Sequence, residues 1–180
     1  DGAQVALGIR DREHDIWTWG VAHETRSRIT QDPADDMRPV WTTDGRRILF
    51  GSTRNGIAKL YAQAADGTGP AERLSTSPNV QIPLSVTPDG TEVVVRDAQP
   101  SGLSPGMGLL RLDGAASRGG ASSHVIEPLI HSAFREDNGV VSPDGHWIAY
   151  ESDESGQLQI YARPFPRVND GLKQISSSGG

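Results

Sequence analysis

One short stretch has the spelling of a catalytic turn. Residues 102–106 read Gly-Leu-Ser-Pro-Gly, the pattern that presents the nucleophilic serine in many hydrolases. In that turn the residue after the serine donates its backbone N–H to the oxyanion hole, and Pro105 has no N–H to donate. No strand-to-helix pattern surrounds the stretch. We therefore interpret it as a loop, and we expect no catalytic residue and no enzymatic activity.

Side chains that bind metals are present, but their spacing is not that of a metal site. The five histidines stand at positions 14, 23, 124, 131 and 146, and none has the helical i, i+4 spacing with a glutamate. Acidic clusters at 11–15 and 32–36 lack the alternating Asp/Asn-to-Gly order of a calcium loop. The chain has no cysteine, which excludes disulfides and thiolate zinc sites. We expect no metal and no cofactor.

Four residues are candidates for contact with a partner. Trp17 and Trp19 lie two residues apart and should project to one side of a strand. They could form a platform for sugars or peptides, or they could fill the space between neighbouring sheets. Residues 163–166 read Arg-Pro-Phe-Pro, where two prolines interrupt a strand. Arg163 and Phe165 could form a docking edge, or they could belong to an ordinary strand exit.

A repeat of about 45 residues must position all of these side chains. Asp-Gly pairs occur at 1, 44, 89 and 144, so their spacings are 43, 45 and 55. Residues 41–62 recur in register as residues 141–162, and a shorter copy begins at 86. The excess in the third interval falls within 99–123, which is rich in Gly, Ser and Pro. Such a period predicts a repeat architecture.

Each repeat has the pattern of short strands. Apolar residues alternate, and Asp-Gly between two such runs is typical of a tight hairpin. A third strand follows a Gly turn at 56 or 156, and a last short strand falls at 28–30, 73–75 or 173–176. Four strands in about 45 residues form one β-propeller blade. We predict an all-β chain with one propeller segment and about four antiparallel blades: 1–32, which lacks its first strand, then 38–77, 82–130 and 139–178.

The repeat resembles that of the TolB-like β-propellers of bacteria. Their unit centres on Pro-x-Trp-Ser-Pro-Asp-Gly, which residues 39–45 and 141–145 follow most plainly. Residues 147–166 look similar to the propellers attached to bacterial serine/threonine kinases of the PknB-like type. The resemblance implies a six-bladed ring, usually outside the cytoplasm, used for protein contacts or ligand sensing. Because this chain has about four blades, we expect it to close as a small ring or to meet a second copy edge to edge.

Composition narrows the classes of partner. The formal net charge is −6, so attraction to nucleic-acid phosphates has no net electrostatic source and we expect no nucleic-acid partner. No apolar run approaches the roughly 18 residues of a membrane span, so we expect no membrane insertion. We interpret the chain as an excised or processed non-enzymatic binding or scaffold module, with a protein or small ligand at its rim or channel. We place it in an extracytoplasmic bacterial signalling or envelope protein. Two alternatives stay open: the propeller of a serine-peptidase-type hydrolase, and a carbohydrate-binding propeller.

Overall fold

Four antiparallel sheets follow one another along the chain. The computed structural model describes residues 2–10, 13–99, 106–112 and 125–179. Sheet 1 contains β1 (Gln4–Arg10), β2 (His14–Gly20) and β3 (Thr25–Arg28). Sheet 2 contains β4 (Asp36–Trp41), β5 (Arg47–Ser52), β6 (Lys59–Ala64) and β7 (Glu72–Arg73). Sheet 3 contains β8 (Val80–Val86), β9 (Glu92–Ala98), β10 (Gly106–Arg111) and β11 (Glu127–Ile130). Sheet 4 contains β12 (Glu136–Val141), β13 (Trp147–Ser152), β14 (Gln159–Pro164) and β15 (Lys173–Gln174).

The Asp-Gly pairs form the turn between the first two strands of sheets 2, 3 and 4. The glycines at 45, 90 and 145 have φ of 68°, 74° and 71°, a left-handed conformation that glycine adopts without strain. The aspartate before each glycine closes its turn. In sheet 4, Asp144 Oδ1 accepts hydrogen bonds from the Ser142 hydroxyl at 2.5 Å and from the His146 N–H at 3.1 Å. The predicted hairpins are confirmed.

The core lies between neighbouring sheets. Along β5, Ile48 and Phe50 pack towards sheet 1, whereas Leu49 packs towards sheet 3 beside Val93 and Val95. All five side chains are buried. Successive residues of a strand point to opposite faces, so one apolar strand serves two interfaces. A third cluster joins sheets 3 and 4. This stacking confirms a propeller-type arrangement of blades.

The last strand of sheets 1 and 2 begins earlier than predicted. β3 spans Thr25–Arg28, not 28–30, and β7 spans Glu72–Arg73, not 73–75. In sheet 1 the N–H groups of Ile29 and Thr30 both donate to the Ile16 carbonyl, at 2.8 and 3.3 Å. Two donors on one acceptor interrupt the ladder, and Ile29 then turns into the core. The first strands of sheets 2, 3 and 4 start at 36, 80 and 136.

Candidate functional site

The first strands of sheets 2, 3 and 4 meet along one line of the molecule, which we call the axis. Each of β4, β8 and β12 has a register shift, between Met37 and Val40, between Pro83 and Ser85, and between Asp137 and Val140. A bulge of this kind bends a strand and re-aims a side chain.

Two non-glycine residues at these bulges have left-handed backbone conformations. Arg38 has φ of 51° and Asn138 has φ of 56°. Such a conformation is unfavourable for a side chain with a Cβ, particularly for arginine, and often marks a functional position. Both residues stand at the same place in the repeat, 100 residues apart. The left-handed residue is therefore shared by sheets 2 and 4, whereas the bulge of sheet 3, at Pro83, has none.

A hydrogen bond shows how the sheets curve. Arg38 Nη1 of sheet 2 donates to Asn138 Oδ1 of sheet 4 and passes over sheet 3. Between the neighbouring strands, the Ser85 hydroxyl donates to the Gly139 carbonyl at 3.0 Å. Contact between sheets 2 and 4 requires the blades to bend around the axis. Their first strands are therefore the inner strands of an arc.

The inner strands line an open cavity of about 220 Å³. Its walls are mainly apolar and include Leu84 and Val140, and its polar side chains are Arg38 and Asn138. Arg38 is exposed and Val140 is 54% exposed. The lining contains one cation and no acidic side chain, so the cavity favours a ligand with carboxylate or carbonyl oxygens and an apolar part.

Trp17 and Trp19 lie on the same face of sheet 1, the face turned away from sheet 2. They pair across β1 with Leu7 and Val5, and the Arg26 guanidinium carbon lies 4.9 Å from the Trp17 ring centre. Both indoles are half-buried. They are not packed between two described sheets, which is one of the two roles considered for them.

The two other tryptophans differ from each other. Trp41 packs against the cluster between sheets 1 and 2, as expected for a side chain that fills space between blades. Trp147 is 47% exposed, on the face of sheet 4 away from sheet 3. Half-buried tryptophans thus lie on the outer face of the first described sheet, and an exposed one lies on the outer face of the last.

Arg163 and Phe165 lie in and just after β14, in sheet 4, away from Trp17 and Trp19 in sheet 1. Arg163 Nε donates to the Tyr150 hydroxyl at 2.8 Å, and its Nη1 donates to the Val168 carbonyl at 3.0 Å. Phe165 is half-buried against the cluster between sheets 3 and 4. The four candidate residues therefore lie at two separate places, one pair in sheet 1 and one pair in sheet 4.

The acidic clusters serve local structure. Asp36 is 0% exposed, and both of its carboxylate oxygens accept hydrogen bonds from Arg54 Nη2 at 3.2 Å. Burial raises the pKa of Asp36, although hydrogen bonds from Ser52 and Thr30 oppose that shift. Within the described residues, no group of three or more His, Cys, Asp or Glu could hold a metal ion. Asp11 and residues 102–105 of the serine pattern lie outside the described residues.

Arg38 and Asn138 were not predicted from the sequence. Two signals pointed to them: both stand two residues before a valine at equivalent positions of the repeat, and Asn is enriched in the left-handed region. Neither signal indicates that the two side chains meet. Their contact depends on how far each blade is rotated from the next.

Together these features define a segment of a β-propeller with a cavity on its axis. Residues 1–118 match the TolB beta propeller domain, and the chain belongs to that family. No helix among the described residues is long and apolar enough to cross a membrane.

Relatives and solved structures agree with this assignment. An uncharacterized protein of Agrobacterium fabrum is 30% identical over 87 residues, which are 48% of this chain and 29% of that protein. TolB from Acinetobacter baumannii superposes with a TM-score of 0.79 at 19% identity, over 98% of this chain and 41% of that one. A TolB structure from Agrobacterium tumefaciens gives 0.77 at 17% identity, over 97% and 61%. The chain therefore spans less than two thirds of each relative, and the structural likenesses show the fold alone.

Proposed function

We propose that this chain is a non-enzymatic binding module whose axis cavity holds an extended, acidic segment of a partner protein. The observation that carries the proposal is the pair Arg38 and Asn138, held in left-handed conformations at the mouths of two bulges. They line one cavity with apolar neighbours. Propellers commonly present such sites on a rigid scaffold.

The chemistry of the cavity selects the occupant. Arg38 supplies a guanidinium, which binds a carboxylate through two parallel hydrogen bonds. Asn138 Oδ1 already accepts from Arg38, and the Asn138 Nδ2 amide group can donate to a peptide carbonyl. Leu84 and Val140 supply apolar contact. An extended segment with an acidic and an apolar side chain satisfies all three, and its narrow cross-section suits the small volume.

The module would act as the sensor or scaffold part of a larger bacterial signalling or envelope protein outside the cytoplasm. Support for this comes from membership of the TolB beta propeller domain family. The two alternative functions make different predictions. In a hydrolase-associated propeller the axis would be an open passage, and in a sugar-binding propeller Trp17 and Trp19 would carry the contact.

Self-association through blade edges is a second property that we propose. β1 pairs with β2 and with no other described strand, so one edge of sheet 1 carries no ladder. Beside that edge, Val5 is 46% exposed and Leu7 is 37% exposed. Unpaired strand edges next to apolar side chains favour pairing between copies.

Selection of peptides from a random phage-displayed library tests the main proposal. We expect the purified chain to enrich extended peptides with Asp or Glu beside an apolar residue. Arg38→Glu should weaken the binding of the selected synthetic peptides by about tenfold or more, because an attractive charged pair becomes a repulsive one. Arg46→Glu is the matched control because Arg46 is also an exposed arginine, beside the Asp-Gly turn of the same sheet. It should leave binding unchanged.

Three outcomes would overturn the proposal. The first is that no acidic peptide is enriched. The second is that Arg38→Glu and Arg46→Glu lose peptide binding equally, and the third is that Arg38→Glu keeps it in full. Quenching of tryptophan fluorescence by an oligosaccharide panel, lost on Trp17→Ala, would favour the carbohydrate-binding alternative instead.

A further inference from the structure

A second cavity lies away from the axis, between the end of β11 and the strand β14. Its volume is about 250 Å³. Leu129, Ile130 and Val168 supply apolar walls, and Glu136 and Arg163 supply opposite charges. The lining also includes the polar side chains of His131, Ser132 and Asn169. This cavity takes no part in the proposed binding of a peptide on the axis.

The carboxylate of Glu136 is the unusual group in this cavity. Glu136 is 2% exposed, and its Oε2 is buried without a hydrogen-bond partner. Burial raises the pKa of Glu136, while hydrogen bonds from the Ser132 hydroxyl and backbone oppose that shift. A buried carboxylate oxygen without a donor costs free energy, so a ligand that brings a donor would recover it.

The equivalent position in sheet 2 shows what is missing. Asp36 also begins the first strand of its sheet and also lies opposite a serine in the register, as Glu136 does. Arg54 neutralises Asp36 with two hydrogen bonds. The residue 100 positions after Arg54 is Glu154, which is exposed and acidic. Sheet 4 therefore has a buried acid at the same place as sheet 2 but lacks the cation that pairs with it there.

Arg163 lines the same cavity but does not replace Arg54. Its guanidinium is held by the Tyr150 hydroxyl and the Val168 carbonyl. No ion pair joins Arg163 to Glu136 within the described residues, although the positive charge of Arg163 lowers the pKa of Glu136. A fixed cation and a buried anion thus line one small cavity without neutralising each other directly.

We propose that this cavity binds a free α-amino acid with an apolar side chain. The ammonium group would donate to Glu136, the carboxylate would accept from Arg163, and the side chain would contact Leu129, Ile130 and Val168. The zwitterion matches the charges of Glu136 and Arg163 in sign, which a neutral sugar does not. A volume of about 250 Å³ lies below the usual range for drug-sized ligands and suits a single amino acid.

Titration of the wild-type chain with L-leucine at millimolar concentrations, followed by calorimetry and amide NMR, tests the proposal. Two analogues serve as ligand controls: 3-methylbutylamine lacks the carboxylate, and 4-methylpentanoate lacks the ammonium. We expect L-leucine to bind and each analogue to bind about tenfold more weakly or worse, since each loses one charge-assisted contact. No binding of leucine, isoleucine or valine would overturn the proposal, and so would analogues that bind as tightly as leucine.

A variant pair locates the site. Glu136→Gln keeps the shape of the side chain and removes its charge. We expect it to weaken leucine binding about tenfold. Glu154→Gln, on the same sheet but outside the cavity, should leave binding unchanged. Far-ultraviolet dichroism checks that each variant is folded. Arg38→Glu should still bind leucine, so a failure of the axis proposal can be distinguished from a failure of this one. Equal affinity in Glu136→Gln and wild type would contradict the proposal.

Discussion

Sheets 2 and 4 have the same sequence plan at an offset of 100 residues, yet their side chains have different surroundings. In β5 of sheet 2, Ile48, Leu49 and Phe50 are all buried. In β13 of sheet 4, burial alternates: Ile148 is buried and Ala149 is exposed. Sheet 2 has a described sheet on each face, whereas sheet 4 has one. The repeat therefore specifies the strands, and the neighbouring sheets decide which residues form a core.

The same comparison applies to buried charge. Asp36 of sheet 2 is paired with Arg54, whereas Glu136 of sheet 4 has an oxygen without a donor. Exchange of arginine for glutamate at the turn, Arg54 against Glu154, accounts for the difference. Repetition of a backbone thus does not fix the pairing of its buried polar residues: Gln81, at the equivalent position of sheet 3, also has a buried Nε2 without a hydrogen-bond partner.

The largest expected difference concerns an equivalent pair of apolar residues. Leu60 of β6 is 0% exposed, and Ile160 of β14 is half-buried on the outer face. Leu60→Ala should lower the free energy of unfolding by about 2–5 kcal/mol. Ile160→Ala should cost about 1 kcal/mol, since less apolar area is lost. Urea unfolding of both variants measures the difference, and equal losses would contradict the one-sided burial of sheet 4.

A smaller difference is expected for the buried acids. Asp36→Asn leaves Arg54 without its carboxylate and should cost about 2 kcal/mol, less than a fully buried pair because Arg54 keeps some solvent contact. Glu136→Gln should change stability little or raise it in the absence of ligand, since it removes a buried charge that has no cation bonded to it.

The effect of Glu136→Gln on the free energy of unfolding should depend on pH. Because its pKa in the folded protein is raised above the ordinary 4.5, the charged form is the one that costs free energy. Any stabilisation by Glu136→Gln should therefore be full above the raised pKa and vanish as the pH falls through 4.5. Urea unfolding at several pH values measures this, and a stabilisation that grows in acid would contradict it.

The Asp-Gly turns should behave alike in both sheets. Hydrogen bonds from Ser142 and the His146 backbone lower the pKa of Asp144 from 3.8 to about 2, and similar bonds lower the pKa of Asp44. A lowered pKa stabilises the fold above pH 3.8 and loses that effect as the pH falls towards 2. Asp144→Ala and Asp44→Ala should each reduce stability at neutral pH, and the loss should shrink in acid, near pH 2 for Asp144. A loss independent of pH would contradict this.

The smallest effect is expected on the outer face of sheet 4. Trp147 is 47% exposed, so Trp147→Ser should change the free energy of unfolding by about 0.5 kcal/mol or less. Trp41→Ser, at the interface of sheets 1 and 2, should cost several times more. Thermal unfolding compares the two, and a large loss in Trp147→Ser would show that its ring packs as tightly as that of Trp41.

The strands and turns could be predicted from the sequence because their causes are local. Asp144 and Gly145 specify a turn within four residues, and alternation in 48–52 specifies two faces. The ends of β3 could not be predicted, because Ile29 leaves the ladder to fill a core made by another sheet. The site depends on longer distances still. Arg38 meets Asn138 only through the curvature of three sheets, and Glu136 is recognisable only once Glu154 is seen to replace an arginine.

A cross-link between the inner strands tests the curvature on which the axis site depends. The chain has no cysteine, so Arg38→Cys with Asn138→Cys introduces the only two thiols. A short rigid bismaleimide should join them within one chain, as read by mass spectrometry, whereas Ser27→Cys with Asn138→Cys should not be joined. Cross-linking of 38 and 138 only between separate chains, or not at all, would contradict an arc of blades closing around a shared cavity.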